Sequence, residues 1–460
     1  MLQRLLTWPE QRPGAFIAAA GLSFALAYGA SLVLLPKRDG RIVIGDAVHY
    51  YVHLRSVVFD GDVSFQNEYL RLYNLTPSAT GDFDWIFEPL PTGHVRNLMP
   101  VGPAIVWAPL YLATTAAVWL MGLFGVSYPL DGYGRVFQAT AGFSGIAAAA
   151  CGAWLSYLAA RQLFSPRVAI WGTLGFWLGS SGLYYSVISP TYSHAPSMLA
   201  TSLLVWWWLR TRDRADVLRY AQLGVLVGFS SLIRWQDATL LLVPALDAAA
   251  LALAMPGPAA ARARVMTARV AAAVGAALLA FTPQMAVWRQ IYGSALVLPQ
   301  GEGFMRWTDP ALVQVLLSDW HGLFTWTPVA ILAVAGLWPL GRFDPRVGVA
   351  AAGAIVAAWY VNASVADWWA GEAFGSRRFL SCFPFFVLGL SAWLRRFEPR
   401  LTALAGIVGA IVLLNGLLLF QYQVFLKGWR DIAPYPRGLY GLWAARFVVP
   451  FRVAARLLGL

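Results

Sequence analysis

Apolar residues occur along this chain in long blocks that recur from one end to the other. Each block covers about 17 to 25 residues, the length that an α-helix needs to cross a hydrocarbon layer about 30 Å thick. Because open strands cannot satisfy their backbone groups in lipid, we expect these blocks to be helices. The first block, residues 15–35, lacks a small-x-small cleavage site, so we expect it to remain as an uncleaved helix. The pattern predicts an all-α polytopic membrane protein.

Short basic segments between the blocks predict which end of the bundle faces the cytoplasm, because cytoplasmic loops carry an excess of Lys and Arg. The segments that we place there are residues 210–214, 262–264, 342–346 and 395–400. The segments left for the outer side hold most of the acids, histidines and polar aromatics. They are residues 36–101, the turns 189–196 and 234–237, residues 291–327 and residues 363–378.

One apolar block cannot be a full crossing if every basic segment is to lie inside. Counting each block as a crossing from a cytoplasmic N-terminus puts residues 210–214 outside, against the charge rule. Residues 101–125 begin with closely spaced prolines, and they are the best candidate for a juxtamembrane helix along the outer face. About 11 crossings then remain, followed by a basic, amphipathic outer tail.

The composition agrees with a membrane protein and excludes several other classes. Of the 460 residues, 59% are hydrophobic and 12% are charged, against roughly a quarter charged in soluble domains. The net charge of +12 follows from the basic segments, so we expect membrane lipids and no nucleic acid as partners. Cys151 and Cys382 form no spaced ligand set, so neither a disulfide framework nor a zinc site is indicated.

An acid and two histidines follow the first helix directly. If the segment Gly45-Asp-Ala-Val-His-Tyr-Tyr-Val-His is helical, then Asp46, His49, Tyr50 and His53 lie on one face. A partly desolvated carboxylate in that position could take a proton from an incoming hydroxyl. The alternative is that Asp46 is a helix cap or a solvated loop acid.

Two predicted outer turns carry further candidates. His194 stands between two prolines, where it could be a structural group at a helix end or a member of the site. Arg234 lies at the tight turn of a predicted hairpin, where a guanidinium needs an anion as its partner. A bound phosphate and an internal ion pair with Asp237 are the two alternatives.

A late outer segment combines tryptophans, glycines and two arginines. Trp369 and Glu372 suit contacts with a sugar, and the pair Arg377 and Arg378 suits a phosphate or a pyrophosphate. Binding of lipid headgroups is the alternative for the two arginines. In residues 291–327, Glu302 and His321 are further candidates, and the glycines there suggest a mobile lid.

Taken together, these motifs resemble the GT-C superfamily of integral-membrane glycosyltransferases, which includes the aminoarabinose transferase of lipid A and the protein O-mannosyltransferases. Asp46 looks like the family acid of the first outer loop, and Arg234 looks like its phosphate-contacting basic residue. Residues 97–103 are similar to its proline-rich segment. Two departures put a metal bridged by two carboxylates in doubt: Ala47 follows Asp46, and His194 stands where some members carry a second acid.

The resemblance implies an inverting transfer of a sugar from a polyprenyl-phosphate donor to a lipid, glycan or protein acceptor. Asp46 would be the base, and Arg234 with Arg377 or Arg378 would stabilise the leaving phosphate. His49, His53 and His194 would orient these groups or bind a metal. The resemblance leaves a divalent metal ion open as a cofactor, with its ligands unknown.

The resemblance also implies an organisation and a location. Residues 1–290 form a GT-C-like catalytic transmembrane module, with residues 36–134 as its first outer loop. Residues 291–327 form a lid, residues 328–425 a C-terminal sub-bundle and residues 426–460 the amphipathic tail. We expect the chain in a bacterial inner membrane, with its site on the extracytoplasmic face of the cell envelope.

Two other functions remain open at this point. A transporter or flippase for a lipid-linked sugar would share the membrane bundle and the outer arginines, although such proteins usually carry charges within their spans and inverted repeats. An O-antigen polymerase or ligase would use a diphosphate-linked donor, for which the same arginines would serve.

Overall fold

The computed structural model describes residues 2–35, 40–76 and 80–459. Residues 36–39 and 77–79, which belong to the predicted first outer loop, lie outside the described residues. The chain is 72% helical and no strand occurs in the described part; the β-contact between Met305 and Val365 is an isolated bridge. Within the described ranges, seven helices are long and apolar enough to cross a membrane. The prediction of an all-α polytopic membrane protein is confirmed.

The helices before residue 200 include three of these seven. In chain order they are α1 Leu2–Gln11, α2 Pro13–Leu34, α3 Asp46–Arg55, α4 Gln66–Tyr73, α5 Asp84–Phe87, α6 Gly102–Leu123, α7 Arg135–Ala160, α8 Pro166–Leu178, α9 Ser181–Val187 and α10 His194–Arg210. Of these, α2, α6 and α7 are the candidate spans.

The remaining helices include the other four candidate spans. They are α11 Val217–Ile233, α12 Leu242–Leu253, α13 Ala259–Tyr292, α14 Gln314–Leu317, α15 Leu323–Trp326, α16 Val329–Ala335, α17 Leu337–Phe343, α18 Pro345–Ser364, α19 Phe383–Leu394, α20 Leu401–Leu426 and α21 Ala445–Leu457. A 3-10 turn, Trp235–Leu241, extends α12 at its start to a span of 19 residues. The predicted number of about 11 crossings requires shorter helices such as α10 and α11 to cross as well.

The predicted cytoplasmic segments meet at one end of the bundle, which we call the basic end. There Arg212 forms an ion pair with Asp344 at 2.7 Å, and Arg219 forms another with Asp247 at 2.6 Å. Arg167 reaches Glu10 of α1 at 3.0 Å, so the N-terminal helix lies at this end too. Distant sequence segments therefore share one basic end, as the charge pattern predicts.

Close helix contacts through small residues hold the bundle together. Gly224 and Gly228 of α11 pack directly on the backbone of Ala273 and Ala277 of α13, so no side chain fits between these two helices. Lipid tails are as apolar as the helix surfaces, and close backbone approach through small residues is therefore a main source of helix association in membranes. The two helices run side by side towards the opposite pole, which we call the site end, and α13 continues beyond the end of α11.

Helix α6 begins at the site end and packs with its middle on the first turn of α7. Gly102 at its start packs on the backbone of Leu232, next to the end of α11. Halfway along α6, the ring of Tyr111 lies 5.6 Å from the ring of Phe137 in the first turn of α7. After α6 ends, the ring of Tyr128 also contacts the ring of Phe137. The juxtamembrane position of residues 101–125 stays a prediction, since α6 is also long and apolar enough to cross.

The buried residues form one large cluster and two smaller ones. The large cluster continues from α2 to α20 and includes helices on both sides of residues 291–327. A second cluster lies beneath the first outer loop and joins α3, α4 and α6. The third lies between the end of α20 and α21, where Val449 is buried and Phe451 is exposed. The tail is thus a helix with one apolar face left open, as its amphipathic sequence predicts.

Candidate functional site

A polar cavity of about 180 Å³ lies at the site end, between the start of α3, the end of α11 and the segment that joins α18 to α19. All five predicted outer segments contribute to its walls. The candidates among its lining residues are Asp46, Tyr50, His194, Arg234, Arg377 and Arg378.

Asp46 is the first residue of α3 and points its carboxylate into the cavity. The residue before it, Gly45, has φ +55°, a conformation that glycine adopts without strain. The Oδ2 atom of Asp46 lies 3.0 Å from a guanidinium nitrogen of Arg377. The Asp46 side chain keeps 32% of its surface exposed, against 13% for Arg377. The carboxylate is thus held by one arginine and remains open to a ligand.

Arg378 and Asp367 form a second ion pair at the cavity wall. A guanidinium nitrogen of Arg378 lies 2.8 Å from a carboxylate oxygen of Asp367, and a second nitrogen donates to the carbonyl of Asp367. The ring of Tyr192 lies under Arg377, with the guanidinium carbon 5.4 Å from the ring centre. Both arginines are therefore fixed in place before any ligand arrives.

Arg234 lies in the same cavity with no carboxylate partner among the described residues. One guanidinium nitrogen contacts Nδ1 of His194 at 3.3 Å and the hydroxyl of Ser193 at 3.4 Å, and Nε has no hydrogen-bond partner in the described part of the chain. The expected alternative partner, Asp237, instead accepts a hydrogen bond from Ser197 at 3.1 Å. Buried guanidinium groups usually pair fully, so Arg234 is suited to an anion.

The charges of the cavity favour an anionic ligand. Three guanidinium groups face two carboxylates among the described lining residues, and only Asp46 and Asp367 supply negative charge. In surroundings of low dielectric constant, an uncompensated positive charge attracts an anion strongly. Arg234 is the cation left over for it.

The polar cavity adjoins an apolar one. This second cavity, of about 520 Å³, lies between α11, α12, α13 and residues 296–298, and its lining is almost wholly apolar. Trp235 borders both cavities, and it directly follows Arg234. A ligand with a charged head and a long apolar tail would fit the two cavities together.

The histidines of α3 do not line the polar cavity. His49 is buried, with Nδ1 2.8 Å from the hydroxyl of Tyr69. His53 is also buried and contacts the side chain of Asn97 and the carbonyl of Met99, each at 3.1 Å. Burial lowers the pKa of both imidazoles to about 4, so they are neutral at pH 7. The helix that begins at Asp46 was predicted correctly, but the two histidines pack beneath the outer loop and only Asp46 and Tyr50 of the predicted set line the cavity.

The remaining candidates lie apart from the cavity walls. His321 is buried and contacts the carbonyl of Trp369 and the hydroxyl of Tyr435, each at 2.7 Å. Burial lowers its pKa to about 4. Glu302 and Glu372 are exposed. The lining residues of the cavity do not include His321, Trp369, Glu302 or Glu372.

Several lining residues were missed by sequence reasoning. Gln300 and Phe304 flank the glycines of the predicted lid, and Gln236 follows Trp235. The loop does reach the site, since Gln300 donates to the carbonyl of Leu98 at 3.2 Å. Neutral and apolar residues of these types occur everywhere in such a chain, so only their place beside predicted motifs could have singled them out.

The residues present do not fit a divalent metal ion. No three His, Cys, Asp or Glu side chains come together within the described ranges. The two carboxylates of the cavity are each engaged by an arginine, and the surrounding guanidinium groups would repel a cation. The donor set therefore suits an anion.

Comparison with known proteins gives no family assignment from sequence. No protein-family model matches the chain, and no curated protein matches it. Similar solved structures include a crystal structure of the Archaeoglobus fulgidus oligosaccharyltransferase with zinc and sulfate, at 13% identity and a TM-score of 0.44, covering 94% of this chain and 52% of that one.

A second similar structure is the archaeal oligosaccharyltransferase from the same organism in complex with an inhibitory peptide and a dolichol-phosphate. The identity is 13% and the TM-score 0.45, with 98% of this chain and 54% of that chain covered. The present chain spans about half the length of both structures.

Proposed function

We propose that this protein is a membrane glycosyltransferase that takes its sugar from a polyprenyl-phosphate donor. The observation that carries this proposal is the pair of adjoining cavities, one with a guanidinium that has no carboxylate partner and the other apolar. A lipid-linked sugar phosphate has both chemistries in one molecule.

The donor phosphate would bind at Arg234, with Arg377 and Arg378 beside it. Guanidinium groups form charge-assisted hydrogen bonds to phosphate oxygens, and these strengthen as negative charge grows on the leaving group. The polyprenyl tail would pass Trp235 into the apolar cavity. The sugar would then lie between the phosphate and Asp46.

Asp46 would act as the base of an inverting displacement. The acceptor hydroxyl gives its proton to the Asp46 carboxylate, and its oxygen forms a bond to the anomeric carbon. The bond from that carbon to the phosphate oxygen breaks, and the electron pair leaves with the polyprenyl phosphate. Arg377 bridges the two groups, because it pairs with Asp46 in the absence of ligand and can pair with phosphate when donor is bound.

His194 would position Arg234 through the contact between them. Tyr50 donates a hydrogen bond to Ser193 at 3.0 Å, and Ser193 in turn contacts Arg234, so the phosphate site rests on a chain of buried polar groups. His49 and His53 would support α3 from below and not touch the substrate.

The reaction would take place outside the cytoplasm. Arginine-rich segments gather at the basic end and the cavity lies at the opposite pole, which by the positive-inside rule supports a site on the extracytoplasmic face. The membrane would be a bacterial inner membrane. The acceptor would be a lipid, a glycan or a protein of that compartment.

The test is a transfer assay with purified full-length protein in lipid nanodiscs. The substrates are a panel of radiolabelled polyprenyl-phosphate sugars and the matching polyprenyl-diphosphate sugars. We expect consumption of at least one monophosphate donor by the wild type. The Asp46→Asn variant should be slower by about 10²- to 10⁴-fold and still bind donor. Asp82→Asn is the matched control, since Asp82 is an exposed carboxylate of the same outer loop.

The outcomes separate this proposal from its alternatives. Undiminished turnover by Asp46→Asn contradicts the role of Asp46. Consumption of diphosphate donors alone favours a polymerase or ligase. If no donor of either panel is consumed while fluorescent polyprenyl phosphate crosses the bilayer faster with the protein present, the protein is a transporter.

A further inference from the structure

His321, in the predicted lid, joins two parts of the chain that are far apart in sequence. It is 2% exposed. Its Nδ1 atom contacts the carbonyl oxygen of Trp369 and its Nε2 atom contacts the hydroxyl of Tyr435, each at 2.7 Å. A carbonyl oxygen can only accept a hydrogen bond, so Nδ1 carries the proton and Nε2 accepts from Tyr435. Both nitrogens of a neutral imidazole are thus paired, one with a residue near the polar cavity and one with the tail.

The backbone on both sides of this contact adopts a conformation that side chains rarely allow. His321 has φ +63°, and Ala370, which follows Trp369, has φ +62°. A left-handed backbone at a residue other than glycine costs free energy, and it persists only where the surrounding structure fixes it. Such positions occur often at functional sites. The contact between His321 and Trp369 is therefore one that the surroundings hold in place.

The contact at Trp369 leads to the wall of the polar cavity. Asp367, two residues earlier, lines the cavity and pairs with Arg378. The amide of Ala370 donates to the carbonyl of Asp367 at 2.7 Å, and Arg378 donates to the same carbonyl at 2.8 Å. Residues 367–370, which we call the 367–370 turn, therefore form one tight unit. A group that fixes Trp369 also fixes the carboxylate that orients Arg378.

A second set of contacts joins the tail to the same part of the predicted lid. The amide of Gly438 donates to the carboxylate of Asp319 at 2.9 Å. The guanidinium carbon of Arg437 lies 4.9 Å from the ring centre of Trp320. Trp320 in turn stacks on Trp369, with ring centres 5.3 Å apart. The tail and the 367–370 turn thus contact neighbouring residues of the lid, and the lid connects them.

We propose that His321 is a positioning residue of the donor site and that the tail completes its hydrogen bonding through Tyr435. The inference rests on the proposed transferase function. Neither residue lines the polar cavity, so both act on the site through the 367–370 turn. While the imidazole holds this turn, Asp367 keeps Arg378 oriented towards the donor phosphate. When the imidazole contact is lost, the turn leaves its left-handed conformation and the orientation of Arg378 is lost with it.

Hydrogen–deuterium exchange tests the link between the tail and the 367–370 turn without any ligand. The protein is used at full length in lipid nanodiscs. Tyr435→Phe removes one hydroxyl and should raise the exchange rate of the turn amides by about threefold, and His321→Phe removes both polar contacts and should raise it by about tenfold. Tyr440→Phe is the matched control, since Tyr440 is an exposed tyrosine of the tail. Unchanged exchange in both variants overturns the inference.

Binding of polyprenyl phosphate, followed by native mass spectrometry, tests the effect on the donor site. His321→Phe should weaken binding by about tenfold, because Arg378 is no longer held in place. In an Asp367→Ala background the same substitution should weaken binding by less than about twofold, because the carboxylate through which His321 acts is absent. A residue that only stabilises the fold would weaken binding by the same factor in both backgrounds, and that result overturns the positioning role.

The variant His321→Asn provides a rescue. Asparagine tolerates a left-handed backbone, and its amide nitrogen occupies the place of Nδ1, so it can still donate to the carbonyl of Trp369. It loses the contact with Tyr435, so binding of polyprenyl phosphate should return to within about threefold of the wild type. Equal losses in His321→Asn and His321→Phe would show that the hydrogen bond to Trp369 does not position the site.

Polyprenyl phosphate also separates this inference from the proposed function. If it fails to bind the wild type, the donor assignment falls, and the role of His321 in the donor site falls with it. If it binds the wild type and the His321 variants alike, the donor assignment stands and only the positioning role falls.

Discussion

Two buried arginines, one at each end of the bundle, differ in how fully they are paired. At the basic end, Arg219 donates to Thr211 at 3.0 Å, to Asp247 at 2.6 Å and to the carbonyl of Trp208 at 3.1 Å. At the site end, the guanidinium of Arg234 has only long contacts, to Ser193 and His194, among the residues that the structure describes. A guanidinium whose hydrogen-bond donors all have partners within the protein has a structural role. A guanidinium with donors that lack partners is suited to a ligand.

The same difference holds for the acids. Asp247 accepts from two arginines, Trp208 and Tyr220, and has no exposed surface. Asp46 has one arginine and a third of its side chain open to the cavity. The comparison teaches that burial alone does not identify a functional charge in a membrane bundle. The number of its hydrogen-bonding positions that lack a partner within the protein does identify it.

The largest effect on stability should follow from removing the ion pairs of Asp247 at the basic end. Asp247→Asn leaves Arg219 and Arg346 without their shared carboxylate, which should lower the free energy of unfolding by about 3–5 kcal/mol. Thermal unfolding in one detergent, followed by size-exclusion chromatography, measures the loss. Asp431→Asn, an exposed acid of the tail, is the control and should unfold like the wild type. An unchanged midpoint for Asp247→Asn would remove the basis of the comparison.

A second test uses pH to probe the histidines beneath α3. Burial holds the pKa of both imidazoles at about 4 in the folded protein, below the ordinary value of 6.5, so protonation favours unfolding. The stability that the two neutral imidazoles contribute is fully present above about pH 6.5. As pH falls towards 4, the free energy of unfolding decreases by about 2–3 kcal/mol per histidine. The variant His49→Gln/His53→Gln should therefore lose less stability than the wild type between pH 7 and pH 5. Glu68, whose pKa burial raises to about 7, acts in the opposite direction in both proteins, so their difference isolates the histidines.

In contrast to Arg219, Arg234 should affect ligand binding more than it affects thermal stability. Arg234→Gln should weaken binding of polyprenyl phosphate by about 10- to 100-fold, because a charge-assisted contact is worth about 1.5–3 kcal/mol. Its thermal midpoint should stay at or above that of the wild type, since no carboxylate partner is left behind. Native mass spectrometry and thermal unfolding give the two values. A variant that unfolds early and binds normally would make Arg234 a structural residue like Arg219.

The smallest expected effect concerns the boundary between the two cavities. Trp235→Ala should weaken binding of long polyprenyl phosphates by about 5- to 10-fold, through lost apolar contact. Binding of a short isoprenyl phosphate, which does not reach the apolar cavity, should change less. Titrations with polyprenyl phosphates of increasing chain length measure the difference in affinity. If the affinity falls equally at all chain lengths, the donor tail does not bind in the apolar cavity.

The sequence by itself determined the architecture and the region of the site. Apolar blocks of membrane length and arginine-rich connections are local properties, because the bilayer acts on each helix and each short loop separately. They predicted the all-α membrane fold and the common basic end. The first turn of α3 was also readable, since i, i+3 and i+4 spacing fixes which residues share a helix face.

Tertiary structure decided which of these residues work together. Asp46 pairs with Arg377 across more than three hundred residues of sequence, and no local pattern predicts such a pair. Packing of the outer loop against α3 turned His49 and His53 inward although they share a face with Asp46. Asp237 took a serine partner in place of Arg234. Partners are chosen by the contacts of distant helices, and a guanidinium left incomplete can be recognised only when those contacts are known.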